Sequence, residues 1–184
     1  MANSETGTRT NILSGGEYQV FLNFRGCDIR RGFADTLYHF LDSAQIRIFM
    51  DDAEIGAGEI IGDKLMQAIN DSKLYIPIFS PRYASSHWCL IELARMMENI
   101  SISKEDENKK VILPIFYDVE PEELKLKPEE HNLQRPSYHD AILNLEEKKV
   151  NQEKKFSTED VDRWRKALRE VDGSKGFKLK DHLG

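Results

Sequence analysis

The chain is poor in cysteine and has no long hydrophobic run. Only two cysteines, Cys27 and Cys89, occur among its 184 residues, too few for the disulfide framework of a small secreted domain. No apolar stretch approaches the roughly 20 residues of a membrane-spanning helix, and residues 1–16 are polar, without the apolar segment of a signal peptide. We therefore expect residues 1–16 to be disordered. We expect the protein to act in the cytoplasm, with the nucleus as a second compartment, and to have no membrane partner.

An excess of positive charge is also missing. The 26 basic and 32 acidic residues give a net charge of −6, so nothing global draws the chain to nucleic acid, and any such contact has to be local. The histidines are scattered along the chain and lack the paired spacing of metal ligands. The sequence therefore predicts no metal site and no prosthetic group.

Several common catalytic motifs are absent. The chain has no P-loop, no G-x-S-x-G elbow and no H-E-x-x-H motif. Glycines at 56, 58 and 62 are spaced somewhat like a dinucleotide-binding fingerprint, but their loop is acidic and follows the second predicted strand instead of the first. Asp51 and Asp52 suggest a phosphoacceptor site, yet the third predicted strand ends without an acceptor carboxylate. We expect this loop to be a flexible turn.

Strand-like and helix-like segments alternate along the chain. Apolar runs rich in β-branched and aromatic residues predict strands at 18–24, 46–50, 74–79 and 111–116. Apolar residues at helical spacing lie between these runs, and a short edge strand is predicted at 176–180. Strict alternation favours right-handed crossovers and a parallel sheet covered on both faces, with ligands bound beyond the carboxyl ends of the strands.

The pattern loosens after the fourth predicted strand. We expect a surface excursion over 118–135, which is rich in acidic residues and lysines. Helices are predicted over 137–155 and 158–171, and Ser157 or Thr158 is the expected cap of the second. The highly charged end of the helix predicted over 137–155 is interpreted as a solvated helix face.

Two arginines flank a glycine turn after the first predicted strand. Arg25 and Arg30 lie on either side of Gly26, at the edge where a doubly wound sheet binds ligands. Guanidinium groups pair bidentately with phosphates, and the N-terminus of the following helix adds a positive dipole end. Asp28 is the predicted N-cap of that helix. The arginines either bind phosphates or are ordinary surface charges, and the residues alone leave both hypotheses open.

A later helix, predicted to begin at Ser86, carries a tryptophan and a glutamate one turn apart. Its apolar residues form one stripe, and Trp88 and Glu92 fall on the opposite side. A carboxylate beside a flat aromatic surface suits cleavage of an N-glycosidic bond, because positive charge develops on the ribose. The alternative is that Trp88 packs under the preceding loop and Glu92 is a solvated helix charge.

Four ordered motifs together resemble a known family. They are Tyr18–Gly26 with Asp28 and Arg30, Asp51-Asp52 with Gly58, Tyr83–Ser86 with Trp88–Leu90 and Glu92, and Leu113–Pro121. This set resembles the TIR (Toll/interleukin-1 receptor/resistance) domains of plant intracellular immune receptors, and the predicted TIR domain spans 17–184. The resemblance implies an α/β, flavodoxin-like, three-layer fold with a five-stranded parallel sheet, order 2-1-3-4-5, flanked by helices.

The resemblance also implies an activity. It implies cleavage of NAD⁺, and of NADP⁺ as a second substrate, by a domain that self-association switches on. The products are nicotinamide and ADP-ribose-type signals that activate immunity and cell death. Glu92 corresponds to the catalytic residue. The residues implied to bind the substrate are Arg25, Gly26, Arg30 and Trp88.

Self-association is expected through the first and last helices, with further copies of the chain and with other TIR domains. The residues implied at the two faces are Phe33, Asp35, Thr36, Trp164 and Gly176. Asp35-Thr36 replaces a Ser-His pair that is common in the family, and Ala57 replaces a basic residue that would contact phosphate. Two other hypotheses stay open: a non-catalytic assembly module, and a synthetase of 2′,3′-cyclic nucleotides that acts on nucleic acid.

Overall fold

The computed structural model describes residues 18–50, 59–105, 107, 109–127, 137–150 and 153–180. The predictions about residues 1–16 and about the loop that contains Asp51, Asp52 and Ala57 lie outside this part. Within it, every helix is too short or too polar to cross a membrane.

A parallel sheet forms the centre of the fold. The strands are β1 (Val20–Phe24), β2 (Ile48–Met50), β3 (Leu74–Phe79), β4 (Val111–Ile112), β5 (Ile115–Tyr117), β6 (Lys149–Val150), β7 (Glu153–Lys154) and β8 (Phe177–Leu179). The large sheet has the order β2-β1-β3-β5-β8, and β4 also pairs with β3. The fourth predicted strand is thus interrupted at 113–114, where Pro114 has no backbone N–H to donate. Counted as one strand, its two pieces confirm the predicted order 2-1-3-4-5.

Helices cover both faces of the sheet, as predicted. They are α1 (Gly26–Ile29), α2 (Asp35–Ser43), α3 (Glu59–Asp71), α4 (His87–Ile102), α5 (Tyr138–Glu147) and α6 (Thr158–Glu170), and the π-helical turn Arg30–Ala34 joins α1 to α2. The core on one face includes residues of α3 to α6, and α2 packs against the other face. The Ser157 hydroxyl accepts from the Asp160 backbone N–H at 3.1 Å, which confirms Ser157 as the N-cap of α6.

The helix predicted over 137–155 is too long. α5 ends at Glu147, and β6 and β7 follow as an antiparallel hairpin. Leu145 is the last buried apolar residue of α5, and residues 146–149 are all charged. A helix continued through that run buries nothing, and short helices depend on the packing of an apolar face. The charged run is therefore partly a hairpin and not one solvated helix face.

The predicted surface excursion over 118–135 is partly built into the core. Val119, Leu124 and Leu126 are buried. Leu124 lies within a 3₁₀ turn, Pro121–Lys125, and Val119 and Leu126 lie on either side of it. The turn opens with a reciprocal capping box between Glu120 and Glu123. The prediction missed this packing because charged residues dominate the segment and its few apolar residues keep no single period: Leu124 follows Val119 by five positions, and Leu126 follows Leu124 by two.

Gly176 occupies a position with no room for a side chain. A Cβ there would lie 2.5 Å from Phe116 Cε2 and 2.6 Å from the Pro114 carbonyl oxygen. Gly176→Ala is therefore expected to lower the free energy of unfolding by about 1–3 kcal/mol, the usual cost of overpacking. Urea denaturation measures this change.

The control is a glycine with open space around it. A Cβ at Gly62 in α3 meets nothing within 4 Å, so Gly62→Ala should leave stability unchanged or raise it, since alanine is the better helix former. If the two substitutions have equal effects on stability, the steric explanation of Gly176 is wrong.

Candidate functional site

The residues predicted on α4 lie near the carboxyl edge of the sheet. α4 follows Ser86, whose hydroxyl oxygen accepts from the Cys89 backbone N–H at 3.4 Å, so the predicted N-cap is confirmed. Trp88 is 41% exposed, whereas Glu92, one helical turn further on, is only 4% exposed. The interpretation of Glu92 as a solvated helix charge is therefore wrong.

Glu92 is buried because α4 has a second, polar buried side. Its Oε2 atom accepts a hydrogen bond from Asn23 Nδ2, at 2.7 Å, at the end of β1. Further along α4, Asn99 is also buried and donates to Tyr75 Oη at 3.1 Å. The period of the apolar residues does not reveal this side, because its members are polar and meet polar partners.

Asn23 is held between Glu92 and Tyr83. The Asn23 side chain is completely buried, and the Tyr83 hydroxyl donates to its Oδ1 atom. Because Oδ1 accepts from the phenol, the amide nitrogen points towards the Glu92 carboxylate. Burial first, and then the nearby charges of Cys89 and Glu92, raises the pKa of Tyr83 well above its ordinary value. The phenol therefore stays protonated and keeps the amide in this orientation.

Asn23 and Tyr83 belong to the motifs that resemble the family but are not among the predicted site residues. For Asn23 a signal exists, because an amide among the apolar residues of a strand buried on both faces needs a hydrogen-bonding partner. Tyr83 carries no comparable signal, since its role depends on how the 3₁₀ turn Tyr83–Ser85 meets the end of β1.

The two arginines of the first connection lie at the same edge of the sheet. Arg25 is half-buried and directly precedes Gly26, the buried first residue of α1. The Arg30 guanidinium carbon lies 5.1 Å from the centroid of the Phe24 ring, within cation–π distance. Their binding of phosphate stays a prediction.

The prediction that Asp28 caps the first helix is wrong. α1 begins at Gly26, so Arg25 occupies the N-cap position and Asp28 lies within the first turn. The Asp28 carboxylate instead accepts from Ser80 Oγ at 2.6 Å and from Arg82 Nε at 2.7 Å. Asp28 therefore ties the connection after β1 to the connection after β3, the two segments that flank Asn23 and Glu92.

The residues implied in self-association differ in exposure. Asp35 and Thr36 are exposed at the start of α2, and Phe33 is half-buried, with its ring centroid 5.7 Å from that of Tyr117. Trp164 is a core residue that is 2% exposed, so a partner would reach its exposed neighbours on α6 and not its ring. Gly176 packs closely against Phe116 and Pro114 of its own chain. Self-association through these positions stays a prediction.

His87, the first residue of α4, is uncharged at neutral pH. Its ring centroid lies 5.0 Å from that of Trp88 and 5.0 Å from that of Phe156. Burial, followed by the positive charges of three nearby side chains, lowers the pKa of His87 to about 4.

This lowered pKa predicts a loss of stability in acid. An unfolded chain binds a proton at His87 as the pH falls through about 6.5, whereas the folded chain does not until about pH 4, so the free energy of unfolding falls over this range. We expect the stability advantage of the wild type over His87→Gln to shrink between pH 7.5 and about 5. Urea denaturation at each pH tests this. Stability profiles that stay parallel for the two proteins would contradict it.

No cluster of three or more His, Cys, Asp or Glu residues able to hold a metal ion occurs in the described ranges. The groups that the described part of the site offers are the buried Glu92 carboxylate, the half-exposed Trp88 ring and the cationic side chains of the first connection.

The chain is similar to one family model and to several plant proteins. The model of the TIR domain family matches residues 17–182. The TMV resistance protein N of Nicotiana glutinosa is 36% identical over 96% of the chain, which spans 13% of that protein's length. A protein of Brachypodium distachyon named as a probable 2′ cyclic ADP-D-ribose synthase is 38% identical over 61% of the chain and 47% of its own length.

A solved structure is similar over most of the chain. The TIR domains of the activated Roq1 resistosome, which recognises the pathogen effector XopQ, superpose with a TM-score of 0.66 and 35% identity, covering 90% of both chains. The chain thus matches one domain of much longer resistance proteins.

Proposed function

This chain belongs to the TIR domain family, and on that premise we propose that it cleaves NAD⁺ between nicotinamide and ribose as a self-association-activated signalling domain of plant immunity. NADP⁺ is the second substrate of this proposal. The observation that carries it is the buried Glu92 carboxylate, held by Asn23 Nδ2 at 2.7 Å and one helical turn from the half-exposed Trp88. The relative named as a cyclic ADP-ribose synthase supports the same chemistry.

The proposed reaction needs one well-placed negative charge. The bond between C1′ of the ribose and the nicotinamide nitrogen breaks, and its electron pair stays on that nitrogen. Positive charge then develops on the ribose, where the Glu92 carboxylate stabilises it more strongly than it would in water, because little solvent screens a buried group. Trp88 offers a flat surface for stacking the substrate ring.

The cation at C1′ can be captured in two ways. Water adds and loses a proton, which gives ADP-ribose, or a hydroxyl group of the same molecule adds and loses a proton, which gives a cyclic ADP-ribose. We propose hydrolysis as the main outcome. Both routes release one nicotinamide for each NAD⁺ consumed.

Product analysis tests this proposal. The purified chain, at high concentration or with a crowding agent, is incubated with NAD⁺. The products are then separated, and their masses are measured by mass spectrometry. We expect equal amounts of nicotinamide released and NAD⁺ lost, and a second product heavier than cyclic ADP-ribose by one water molecule. A second product of the lighter mass shows cyclisation instead. Release of 2′,3′-cyclic nucleotides from added nucleic acid, without nicotinamide, would overturn the proposal.

Self-association is proposed as the activating step. The similar TIR domains of the Roq1 structure belong to an activated assembly. A longer receptor that oligomerises raises the local concentration of its attached domains, so that weak contacts between them become sufficient. A chain that assembles without consuming NAD⁺ would instead be a non-catalytic assembly module.

A further inference from the structure

The hairpin of β6 and β7 places two lysines side by side. The Lys155 backbone N–H donates to the Lys148 carbonyl oxygen at 2.8 Å. These two residues are therefore the next pair along from the antiparallel partners Lys149 and Lys154. Paired residues of an antiparallel ribbon project to the same side. Lys148 and Lys155 therefore form one local concentration of positive charge.

Aromatic rings connect this hairpin to the candidate site. Phe156 follows the hairpin, and its ring centroid lies 5.0 Å from that of His87 and 5.0 Å from that of the buried Trp164. The His87 ring in turn lies 5.0 Å from Trp88. The hairpin is thereby anchored against the start of α4, one helical turn before Glu92.

Three positive charges act on His87. They belong to Lys155, Lys148 and Arg25, and the Lys155 ammonium lies 5.2 Å from the Phe156 ring centroid. In the part of the chain that the structure describes, no carboxylate lies within ion-pair distance of Lys148 or Lys155. Together these three side chains create a positive potential at His87, whose ring contacts Trp88. A positive potential favours a bound anion over a bound cation.

We propose that Lys148 and Lys155, together with Arg25, bind the diphosphate of the dinucleotide substrate and so set the direction in which it enters the site. NAD⁺ carries a positive nicotinamide ring at one end and a negative diphosphate in its middle. The two lysines and Arg25 repel the positive nicotinamide ring and attract the diphosphate, while the Glu92 carboxylate attracts the positive ring. The inference rests on the proposed function, since it assigns the phosphate-binding side of that same site.

The kinetic test removes the two lysines and keeps the rest of the hairpin. The double variant Lys148→Ala/Lys155→Ala is expected to raise the KM for NAD⁺ about tenfold, the loss expected of charge-assisted contacts, with kcat unchanged. Its KM should also depend less on salt than that of the wild type, because fewer charges remain to be screened. Lys149→Ala is the matched control, because alternation along β6 turns Lys149 to the other side of the hairpin; its KM should stay at the wild-type value.

A binding test works without turnover. ADP-ribose, which carries the diphosphate and lacks nicotinamide, is added while the His87 imidazole is titrated by NMR. A bound diphosphate offsets the surrounding positive charges, so ADP-ribose should raise the pKa of His87 in the wild type and in Lys149→Ala. It should not raise it in the double variant.

The two tests separate this inference from the proposed function. If the wild type consumes NAD⁺ but the double variant keeps its KM and the same response of His87 to ADP-ribose, the lysines do not bind the diphosphate and the inference is wrong. If the wild type consumes no NAD⁺, yet ADP-ribose raises the pKa of His87 only when the lysines are present, the anion site stands and the proposed reaction fails.

Discussion

Glu92→Gln is expected to lower the rate of nicotinamide release by at least about 100-fold, the effect of removing a group placed to stabilise transition-state charge. Glutamine keeps the volume of the side chain, and its carbonyl oxygen can accept the bond from Asn23 that Glu92 Oε2 accepts at 2.7 Å. The substitution therefore removes the negative charge with little change in packing. The loss should appear mainly in kcat, because the charge on the ribose develops only as the bond breaks. A smaller rise in KM is expected, because the carboxylate also attracts the positive nicotinamide ring of the bound substrate.

The matched control lies on the same helix. Glu98 is partly exposed and pairs with Arg163 at the surface of α4 and α6. Glu98→Gln therefore removes an equal charge from an exposed ion pair, which contributes little to the free energy of unfolding. Its activity should stay within about twofold of wild type. Circular dichroism and light scattering must show that both variants fold and assemble like the wild type. A folded, assembled Glu92→Gln protein with full activity would exclude Glu92 as the catalytic residue.

Asn23→Asp is expected to lower the free energy of unfolding by about 3 kcal/mol or more. The Asn23 side chain is 0% exposed and its amide nitrogen is the donor to Glu92. The substitution brings two buried carboxyl groups to hydrogen-bonding distance. Either both are ionised and repel each other, or one takes up a proton at neutral pH, and both outcomes oppose folding. Urea denaturation measures the loss.

A second substitution tests whether this loss arises from the pair itself. Asn23→Asp combined with Glu92→Gln exchanges the amide and the carboxylate across the same bond. The double variant should recover most of the lost stability, which gives a large coupling energy in the double-mutant cycle. It should have no activity, because the carboxylate now lies on β1 and not on α4. If the exchanged protein is no more stable than Asn23→Asp alone, the Asn23–Glu92 bond does not hold the site together.

The arrangement of strands follows from local patterns that the sequence displays. Buried runs such as 74–79, separated by amphipathic helices, leave few ways to build the sheet, and right-handed crossovers select among them. The helix predicted from the same patterns is longer than α5, because a run of charged residues resembles the exposed surface of a helix even where no apolar residue remains to be buried. The actual end of α5 follows from Leu145, its last buried apolar residue.

The site was only partly predictable, for a related reason. Periodicity places Glu92 on the side of α4 away from the core. Its spacing from Trp88 suggests a catalytic carboxylate but leaves a solvated charge as the alternative, and the resemblance to a family favours the catalytic role. Its burial arises from contacts between residues far apart in the chain: Asn23 on β1 and Tyr83 after β3. The periodicity of a helix describes that helix alone. It does not show which polar residues of other elements will face it in the folded chain.

The most direct test of NAD⁺ cleavage at this site is the rate of nicotinamide release by the wild type over a wide range of protein concentration, with light scattering recorded on the same samples. We expect stoichiometric release, with a rate per molecule that rises as the chain assembles. Assembly seen by scattering without any nicotinamide release would contradict the proposal and leave the chain as an assembly module.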